Sequence, residues 1–524
     1  MNTVLETKTK HDYAQRAFDN ELYDEYGIAT DEFIDYVYKT FGFKLRKSTK
    51  VEMNNILRTD SYKFSHWVQY PKGTTDVFSY IESRGCKFTD KLMFVGLQAY
   101  LKECLSKPIT MADVEYARKY CESRYLPFNY EDWKYIVEKH KGFLPLTIKA
   151  AKEGVVIPNK NVLLTIHTTD PNCYWLPSYV ETALLRAIWY PSTVATLSYT
   201  CKKIIYKFLA ETSDNADEVI KFALHDFGAR GVSSGESAGL GGLGHIINFF
   251  GTDTDEAVIT AQNYYEAKIG ADTVSIAAAE HSTITSWGRD REFDAYSNMV
   301  DQYAKPGAIF AVVADSYNIY NAVENMWSKG GLFDRVKAAG ARVVIRPDSG
   351  DATTVPVKIV QMIADLEGYT VNSKGYKVLP DHIRVIQGDG ITIETIPVIL
   401  ENLKKAGFSA ENLAFGMGGG LLQHVNRDTF AFAQKCCAAL VDGKWVDVYK
   451  QPIDGNGKKS KAGRMTLIKD DKGVYQTIRL EDPLERKEEL EIVFKNGHIV
   501  KTTNMVEVRQ RADECFKAEM ALAA

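Results

Sequence analysis

Glu280 and His281 end the stretch V-S-I-A-A-A-E-H, where small and apolar residues from Val274 lead into a charged pair. The run predicts a buried strand, and Ser282 or Thr283 just beyond can cap a following helix. A histidine at such a junction either finds a partner in the core or faces a site, with Glu280 able to orient its ring. Further on, I-R-P-D-S-G sets Arg346 and Asp348 two residues apart behind another apolar run. A guanidinium there forks onto phosphate or amide oxygens, and a carboxylate accepts from ribose hydroxyls or holds Mg2+. The plainer alternative is an internal Arg–Asp pair. Q-G-D-G repeats the theme with Asp389, and Asp315 follows I-F-A-V-V-A. Gly416-Met417-Gly418-Gly419-Gly420 precedes L-L-Q, a helix start, so its backbone N–H groups suit an anion, most often phosphate. A tight turn is the competing explanation, and Arg427 just beyond favours phosphate. Together these residues suit a ligand with two phosphorylated ends, a hydroxylated sugar and Mg2+: phosphoribosyl or sugar-phosphate chemistry.

The elements that must position them are short and repetitive. Six apolar strands end in polar or glycine residues: F-A-L-H-D-F-G-A-R, V-S-I-A-A-A-E-H, I-F-A-V-V-A-D-S-Y, R-V-V-I-R-P-D-S-G, I-R-V-I-Q-G-D-G and L-A-F-G-M-G-G-G. H-I-I-N-F-F-G-T-D-T is a seventh candidate. Helical patterns lie between them, with Val355, Ile359, Met362, Ile363 and Leu366 on one face, and Ile396, Ile399, Leu400 and Leu403 on another before Gly407. Successive βα units spaced by roughly 30–50 residues predict an α/β fold with an irregular (β/α) barrel over 184–427; an open doubly wound sheet is the alternative. In a barrel the C-terminal strand ends share one mouth, so Arg230, Asp253, His281, Asp315, Arg346, Asp348, Asp389 and glycines 418–420 converge there.

The flanks read differently. Strand-like pieces (Thr75–Ile81, Leu146–Ala151, Asn161–His167) mix with helical ones (Thr110–Arg124, Asp132–Lys139) in the first third. Turn dipeptides at Asp442-Gly443, Asp470–Gly473 and Asn496-Gly497 sit between alternating runs in the last 90 residues or so. The expectation is a β-rich α+β domain built from 51–183 with 428–524. Residues 1–50 form a separate helical appendage, with Phe33, Ile34, Val37, Tyr38 and Phe41 on one face.

With 524 residues, a net charge of −4 and 45% hydrophobic content, the chain can fill several cores and has no global pull toward nucleic acid or membrane. No apolar run is long enough to span a bilayer, and the N-terminus lacks the apolar stretch of a secretory signal. Eight cysteines without paired spacing suit reduced thiols, so a cytoplasmic location is expected. Lys458, Lys459, Lys461 and Arg464 make a basic loop that is solvated or reaches an anionic ligand; without interleaved aromatics it does not suit nucleic acid.

T-D-S-Y-K (59–63), H-D-F-G-A-R-G-V-S-S (225–234), G-T-D-T (251–254), A-A-E-H-S-T-I-T (278–285), D-S-Y (315–317), I-R-P-D-S-G, Q-G-D-G, F-G-M-G-G-G-L-L-Q and K-S-K-A-G-R (459–464) occur in order. From about residue 52 to about 510 this resembles the nicotinamide phosphoribosyltransferases, type II phosphoribosyltransferases; residues 1–50 lie outside the resemblance. The resemblance implies a homodimer with active sites at the subunit interface. It also implies synthesis of nicotinamide mononucleotide and pyrophosphate from nicotinamide and phosphoribosyl pyrophosphate, within NAD salvage. Phe227 and Tyr62 from the other subunit would sandwich the pyridine, Asp253 would accept from the carboxamide, and Arg346 would meet the amide oxygen or phosphate. Asp348, Gly388 and Asp389 would hold the ribose, Gly418, Gly419 and Arg427 the 5′-phosphate, and Arg230, His281 and Arg346 the pyrophosphate. Arg84, Lys435 and Lys450 match phosphate-binding positions supplied by the other subunit, and Asp60 a polar active-site residue. Two positions depart from the pattern: Ala229 where tyrosine occurs and Ala311 where serine occurs, leaving Ser275 as the hydroxyl on the amide side. The resemblance assigns catalysis to His281, Asp348, Asp315 and Asp253, with His281 phosphorylated during optional ATP hydrolysis. Mg2+ would be held mainly through substrate phosphates, its protein ligands left open.

Elementary chemistry agrees. Loss of pyrophosphate gives the anomeric carbon oxocarbenium character, which nearby carboxylates stabilise, while arginines and Mg2+ neutralise the leaving group. The pyridine nitrogen is already unprotonated near neutral pH, so positioning dominates. Asp253 would repel the carboxylate of nicotinate; at ~4 Å and an effective dielectric of ~20 this is on the order of several kcal/mol. Nicotinamide is therefore preferred over the first alternative, a nicotinate phosphoribosyltransferase. A metal-dependent barrel hydrolase needs clustered ligands, and His225, His245 and His281 are scattered. A non-catalytic binding protein on the same fold is the remaining alternative.

Overall fold

A computed structural model describes residues 33, 35–37, 39, 53–268, 270–451, 460–482 and 486–523. Of the expected appendage, the described positions Phe33, Asp35, Tyr36, Val37 and Lys39 are helical, with Val37 buried and Asp35 and Lys39 exposed. The rest of that expectation lies outside the described residues.

Down the chain come β1 (Thr74–Glu82), α1 (Met111–Ser123), α2 (Tyr130–His140), β2 (Leu146–Ala150), β3 (Val162–Thr168) and α3 (Glu181–Thr212). Thr110 caps α1 in a reciprocal box with Asp113, satisfying two N–H groups that a helix start leaves bare. The barrel region follows with β4 (Leu224–Asp226), α4 (Gly235–Ile246), β5 (Ala277–Ala278), α5 (His281–Thr285), β6 (Ile309–Val313) and β7 (Arg342–Arg346). It continues with α6 (Val355–Glu367), β8 (Ile383–Gln387), α7 (Thr395–Lys405), β9 (Leu413–Met417) and α8 (Gly419–Leu422). The chain returns through β10 (Ala433–Val441), β11 (Lys444–Asp447), β12 (Met465–Lys469), β13 (Tyr475–Arg479), β14 (Glu491–Lys495), β15 (His498–Ile499) and α9 (Met505–Ala523).

Both ends of the chain build one seven-stranded sheet, ordered β11-β10-β1-β3-β2-β14-β15 with antiparallel pairs. The three turn dipeptides close the hairpins β10–β11, β12–β13 and β14–β15. Positive φ at Asp442, Gly443, Asn496 and Gly497 is the geometry that two-residue hairpin turns demand. The expected domain boundary at 183/184 falls three residues inside α3. Leu184, Leu185 and Ile188 of that helix pack into the core under the antiparallel sheet, while Val194, Leu197, Ile205 and Leu209 pack into the barrel core. One 32-residue helix thus belongs to both cores.

The six expected barrel strands all form and run parallel, in the order β4-β9-β8-β7-β6-β5. The seventh does not form a strand of its own. His245 and Ile246 end α4, and only Gly251 and Thr252 bridge, Thr252 to Asp226 and Gly251 to Val274 just ahead of β5. Those bridges join the two edges of the sheet and close the ring. The V-S-I-A-A-A stretch is likewise not a buried strand: the ladder is two residues long, and Ser275 and Ala278 are exposed because this wall faces an open bore. α7 buries the predicted face (Ile396, Ile399, Leu400 and Leu403), whereas α6 buries Ile359 and Ile363 and leaves Val355, Met362 and Leu366 half-buried.

His245 is fully buried beside the closure, its Nε2 donating to Gly251 O at 3.1 Å and its Nδ1 paired with the Ser198 hydroxyl at 3.0 Å. Gly251 O can only accept, which fixes the proton on Nε2. Burial pushes the His245 pKa down to about 3, so the folded protein keeps it neutral. Below about pH 6.5 the unfolded chain takes up a proton that the folded chain refuses, so folding weakens as pH falls, on the order of 1 kcal/mol per pH unit. Melting temperatures between pH 7.5 and 5.5 should fall more steeply for the wild type than for His245→Gln; parallel curves would discount this histidine.

Candidate active site

His281 is the first residue of α5, and Glu280 occupies the N-cap in extended conformation. The capping expectation for Ser282 and Thr283 is corrected: both donate back to Glu280, Ser282 to its carboxylate and Thr283 to its carbonyl at 2.9 Å. Glu280 is thereby turned to Ser282, and Asp315 orients the histidine instead. His281 Nε2 lies 2.9 Å from Asp315 Oδ1, and Nδ1 lies 4.0 Å from Asp348 Oδ2. The His281 side chain is 46% exposed and that of Asp315 only 4%, so a buried carboxylate aims an open imidazole.

Asp315 follows β6, Arg346 ends the adjacent β7 and Asp348 lies just beyond it, which brings the D-S-Y and R-P-D-S-G motifs together. Asp315 Oδ2 accepts the Asp348 N–H at 3.1 Å. Burial alone would raise the Asp315 carboxyl. Hydrogen bonds from Ser349 and His281, the His281 charge and the Asp348 amide outweigh that and hold it below the ordinary carboxylate range. Arg346 Nη2 reaches Asp348 Oδ2 at 3.3 Å, so the internal pair does form. Its Nε is buried without a partner among the described residues, so the pair leaves the guanidinium incompletely satisfied.

Across the mouth, Asp253 follows the closing bridge, and Ser275 donates to its Oδ1 at 2.6 Å. Phe227 follows β4, and its ring rests against β9: a Cβ on Gly416 would sit 2.0 Å from Phe227 Cε2, so only glycine allows this seat. A Cβ on Gly388 would meet the same ring edge, 3.4 Å from Phe227 Cε2, and lie 3.3 Å from Asp348 Oδ1. Gly388 is therefore the joint between aromatic ring and carboxylate. A cavity of about 930 Å3 runs from Phe227, Asp253, Ser275 and Arg346 down the bore. Barrel interiors are normally filled by bulky side chains. Here Ala311, Val344, Ile386 and Ala414 point inward and leave the bore open, Ala311 supplying room where a hydroxyl was the other option.

The glycine turn is shorter than expected. α8 is a single turn, so helix dipole contributes little and the backbone N–H groups must act locally. Arg230, exposed on the short turn Ala229–Gly231, stands beside it: a Cβ on Gly231 would lie 3.4 Å from Gly419 Cα. Asp389 is exposed after β8, its carbonyl held by the Gln387 amide at 2.9 Å. Arg427 is exposed and paired with Asp428 at 2.8 Å.

Lys435 stands on β10 of the antiparallel sheet, with Arg84 just after β1 and Lys450 just after β11. Lys435 is half-buried, and burial lowers its pKa; Arg84, Lys450 and Lys63 lower it further, opposed by Glu181. Arg84 and Lys461 both pair with the buried Glu82. Lys458 and Lys459 lie outside the described residues. Tyr62 is 59% exposed, and Asp60 accepts from Thr182 at 2.6 Å. Ser349, inside the R-P-D-S-G motif, is not among the expected site residues, and Gly416 of the glycine run seats the Phe227 ring.

The hydrolase alternative loses its ligands. His225 Nε2 faces Phe222 O at 2.9 Å, His245 is held by Gly251 and Ser198, and His281, open at Nδ1, joins no trio spaced for a metal among the described residues. Among the described residues, His140, Asp170 and Cys173 are a trio spaced for a metal, at the end of α2 in the other domain. Asp170 there already accepts from His140, Tyr135 and the Asn172 N–H.

Comparison with known proteins is consistent with this geometry. A family model described as the nicotinate phosphoribosyltransferase (NAPRTase) family matches residues 222–498, and one described as the nicotinamide phosphoribosyltransferase N-terminal domain matches 54–148. A nicotinamide phosphoribosyltransferase from Xanthomonas campestris pv. campestris is 50% identical over 465 residues, 88% of this chain and 98% of the relative. One from Acinetobacter baylyi is 31% identical over 88% of this chain and 97% of the relative. Among solved structures, nicotinate-nucleotide pyrophosphorylase from Pyrococcus furiosus superposes with a TM-score of 0.57 at 17% identity, covering 90% of this chain and 98% of that one. Human nicotinic acid phosphoribosyltransferase gives 0.51 at 15% identity, over 87% and 93%. These two show the shared fold. The chain belongs to the nicotinamide and nicotinate phosphoribosyltransferase family.

Proposed function

We propose that this protein transfers the phosphoribosyl group of phosphoribosyl pyrophosphate to nicotinamide, forming nicotinamide mononucleotide and pyrophosphate for NAD salvage. The observation that carries the choice of pyridine is Asp253, an acceptor held by Ser275 beside the Phe227 ring. A carboxamide donates to that carboxylate, whereas a nicotinate carboxylate meets repulsion on the order of several kcal/mol at an effective dielectric of ~20. Phe227 stacks the ring from one side and Tyr62 of a second copy covers the other, which suits the exposure of Tyr62. The protein works as a homodimer in the cytoplasm, each active site completed by Arg84, Lys435 and Lys450 from its neighbour.

The pyridine nitrogen attacks the anomeric carbon as the bond to the pyrophosphate oxygen breaks, so the electron pair leaves with pyrophosphate. Asp348 and Asp389 hold the ribose hydroxyls and face the positive charge that develops on the sugar. Arg230 and Arg346 take the pyrophosphate, while the backbone at Gly418 and Gly419, with Arg427, takes the 5′-phosphate. Half-buried Asp348 and exposed Asp389 are hard oxygen donors compatible with Mg2+ held mainly by substrate phosphates. When bound, the ion neutralises the leaving group.

ATP acts as an optional co-substrate. With Asp315 accepting from Nε2–H, His281 keeps its lone pair on Nδ1, and that nitrogen attacks the γ-phosphate as ADP leaves. The phosphohistidine strengthens substrate binding and drives synthesis forward.

Purified protein with Mg2+ should form nicotinamide mononucleotide from the two substrates, and absence of product would overturn the reading. Turnover of nicotinamide should far exceed that of nicotinate. Asp253→Asn should erode that preference by about tenfold or more, mainly through nicotinate KM; an unchanged ratio would remove Asp253 from selectivity. His281→Ala should melt like the wild type but lose ATPase activity and stimulation by ATP, and retained coupling would refute the phosphohistidine.

A further inference from the structure

Asp226 precedes Phe227, is completely buried, and belongs to none of the binding roles above. Its backbone ties the pocket together from behind: its N–H donates to Gly251 O at 3.2 Å, and its carbonyl accepts the Asp253 N–H at 2.9 Å. Its side chain does a separate job. Oδ1 accepts the Gly228 N–H at 2.7 Å, closing a tight turn around Phe227. The Phe227 N–H is held by Met417 O at 3.0 Å, so the ring is pinned from both ends of its own peptide.

The surroundings are shaped for this carboxylate. Gly242 of α4 makes room, since a Cβ there would lie 3.0 Å from Asp226 Oδ2. Oδ2 and the neighbouring Thr254 hydroxyl are both buried without a partner of ordinary geometry among the described residues. Burial pushes the Asp226 carboxyl up to about 6, against the pull of Gly228 and Thr254. A buried, incompletely satisfied carboxylate is unfavourable on its own, so its presence next to the stacking ring calls for a local return.

We propose that Asp226 is a positioning residue for the pyridine slot, setting the spacing between the Phe227 ring and the Asp253 carboxylate by holding Gly228 with its side chain and Asp253 with its backbone. This rests on the nicotinamide reading. Side-chain removal frees the Gly228 turn and lets the ring leave its seat on Gly416, while the backbone bonds to Gly251 and Asp253 persist. Affinity for the flat ring therefore falls most, because phosphoribosyl pyrophosphate shares only Arg230 with this turn and is otherwise held at other strand ends.

Steady-state kinetics of Asp226→Asn, which keeps the accepting oxygen, and Asp226→Leu, which keeps the volume and loses it, test this together with melting curves. Loss of one buried hydrogen bond with an orphaned donor predicts a rise of about tenfold in nicotinamide KM for Asp226→Leu. The phosphoribosyl pyrophosphate KM should rise much less, and Asp226→Asn should restore nicotinamide KM. Equal rises in both KM values, an unchanged nicotinamide KM in Asp226→Leu, or no rescue by Asp226→Asn would overturn the proposal. Hydrogen–deuterium exchange on the ligand-free wild type reads the same bond without substitution: the Gly228 amide stays protected, and exchange at the rate of an exposed loop also overturns it. A wild type that makes nicotinamide mononucleotide while these tests fail leaves the function intact and removes only the role of Asp226.

Discussion

The mouth depends on how the parallel ring closes. β4 and β5 are the edges of a six-stranded sheet, and among the described residues no full strand lies between them. Gly251 and Thr252 cross the gap with single bridges to Val274 and Asp226. That short crossing brings Asp253 and Ser275 within 2.6 Å, although they stand 22 residues apart. His245 supports it from the core side, its Nε2–H on Gly251 O and its other nitrogen on Ser198 of α3. A neutral, fully satisfied histidine suits a low-dielectric interior, where a charged one would be costly.

The second constraint is volume. Inward-facing Ala311, Val344, Ile386 and Ala414 fill only part of the barrel, and the remaining bore opens beneath Phe227, Asp253 and Arg346. The bore therefore has room for a flat ring beside Phe227, away from bulk solvent. Polar groups concentrate at the strand ends, where Asp315 is buried yet kept ionised by its hydrogen bonds. The mouth thus separates an apolar slot from a charged rim, the division required to join a pyridine to a phosphorylated sugar.

A third feature links the two cores. α3 belongs to both, and α9 returns from the chain end to lay Arg509 over Phe250, with its guanidinium on Ile246 O and Asp272. Residues on either side of the closing bridge are thereby held by the C-terminal helix. Lys435 and its cationic neighbours gather on the antiparallel sheet, where mutual repulsion is relieved by Glu82 and Glu181 and would be relieved further by an anion.

The six parallel strands, the helix faces of α6 and α7, and the hairpins at Asp442-Gly443, Asp470–Gly473 and Asn496-Gly497 were legible in the sequence. Each is specified locally, by apolar periodicity or by residues that tolerate positive φ. The ordered motifs likewise identified the family. Tertiary structure alone decided the rest. Asp315, not Glu280, aims His281, because strand neighbours are set by sheet order and not by chain proximity. The seventh strand reduced to a bridge because His245 is drawn into the core with α4, leaving only Gly251 and Thr252 to pair. V-S-I-A-A-A proved open instead of buried, because burial depends on what lies opposite, and opposite it the inward residues are too small to fill the bore. Sequence determines which segments extend and which chemistry each carries; long-range packing determines which of them meet.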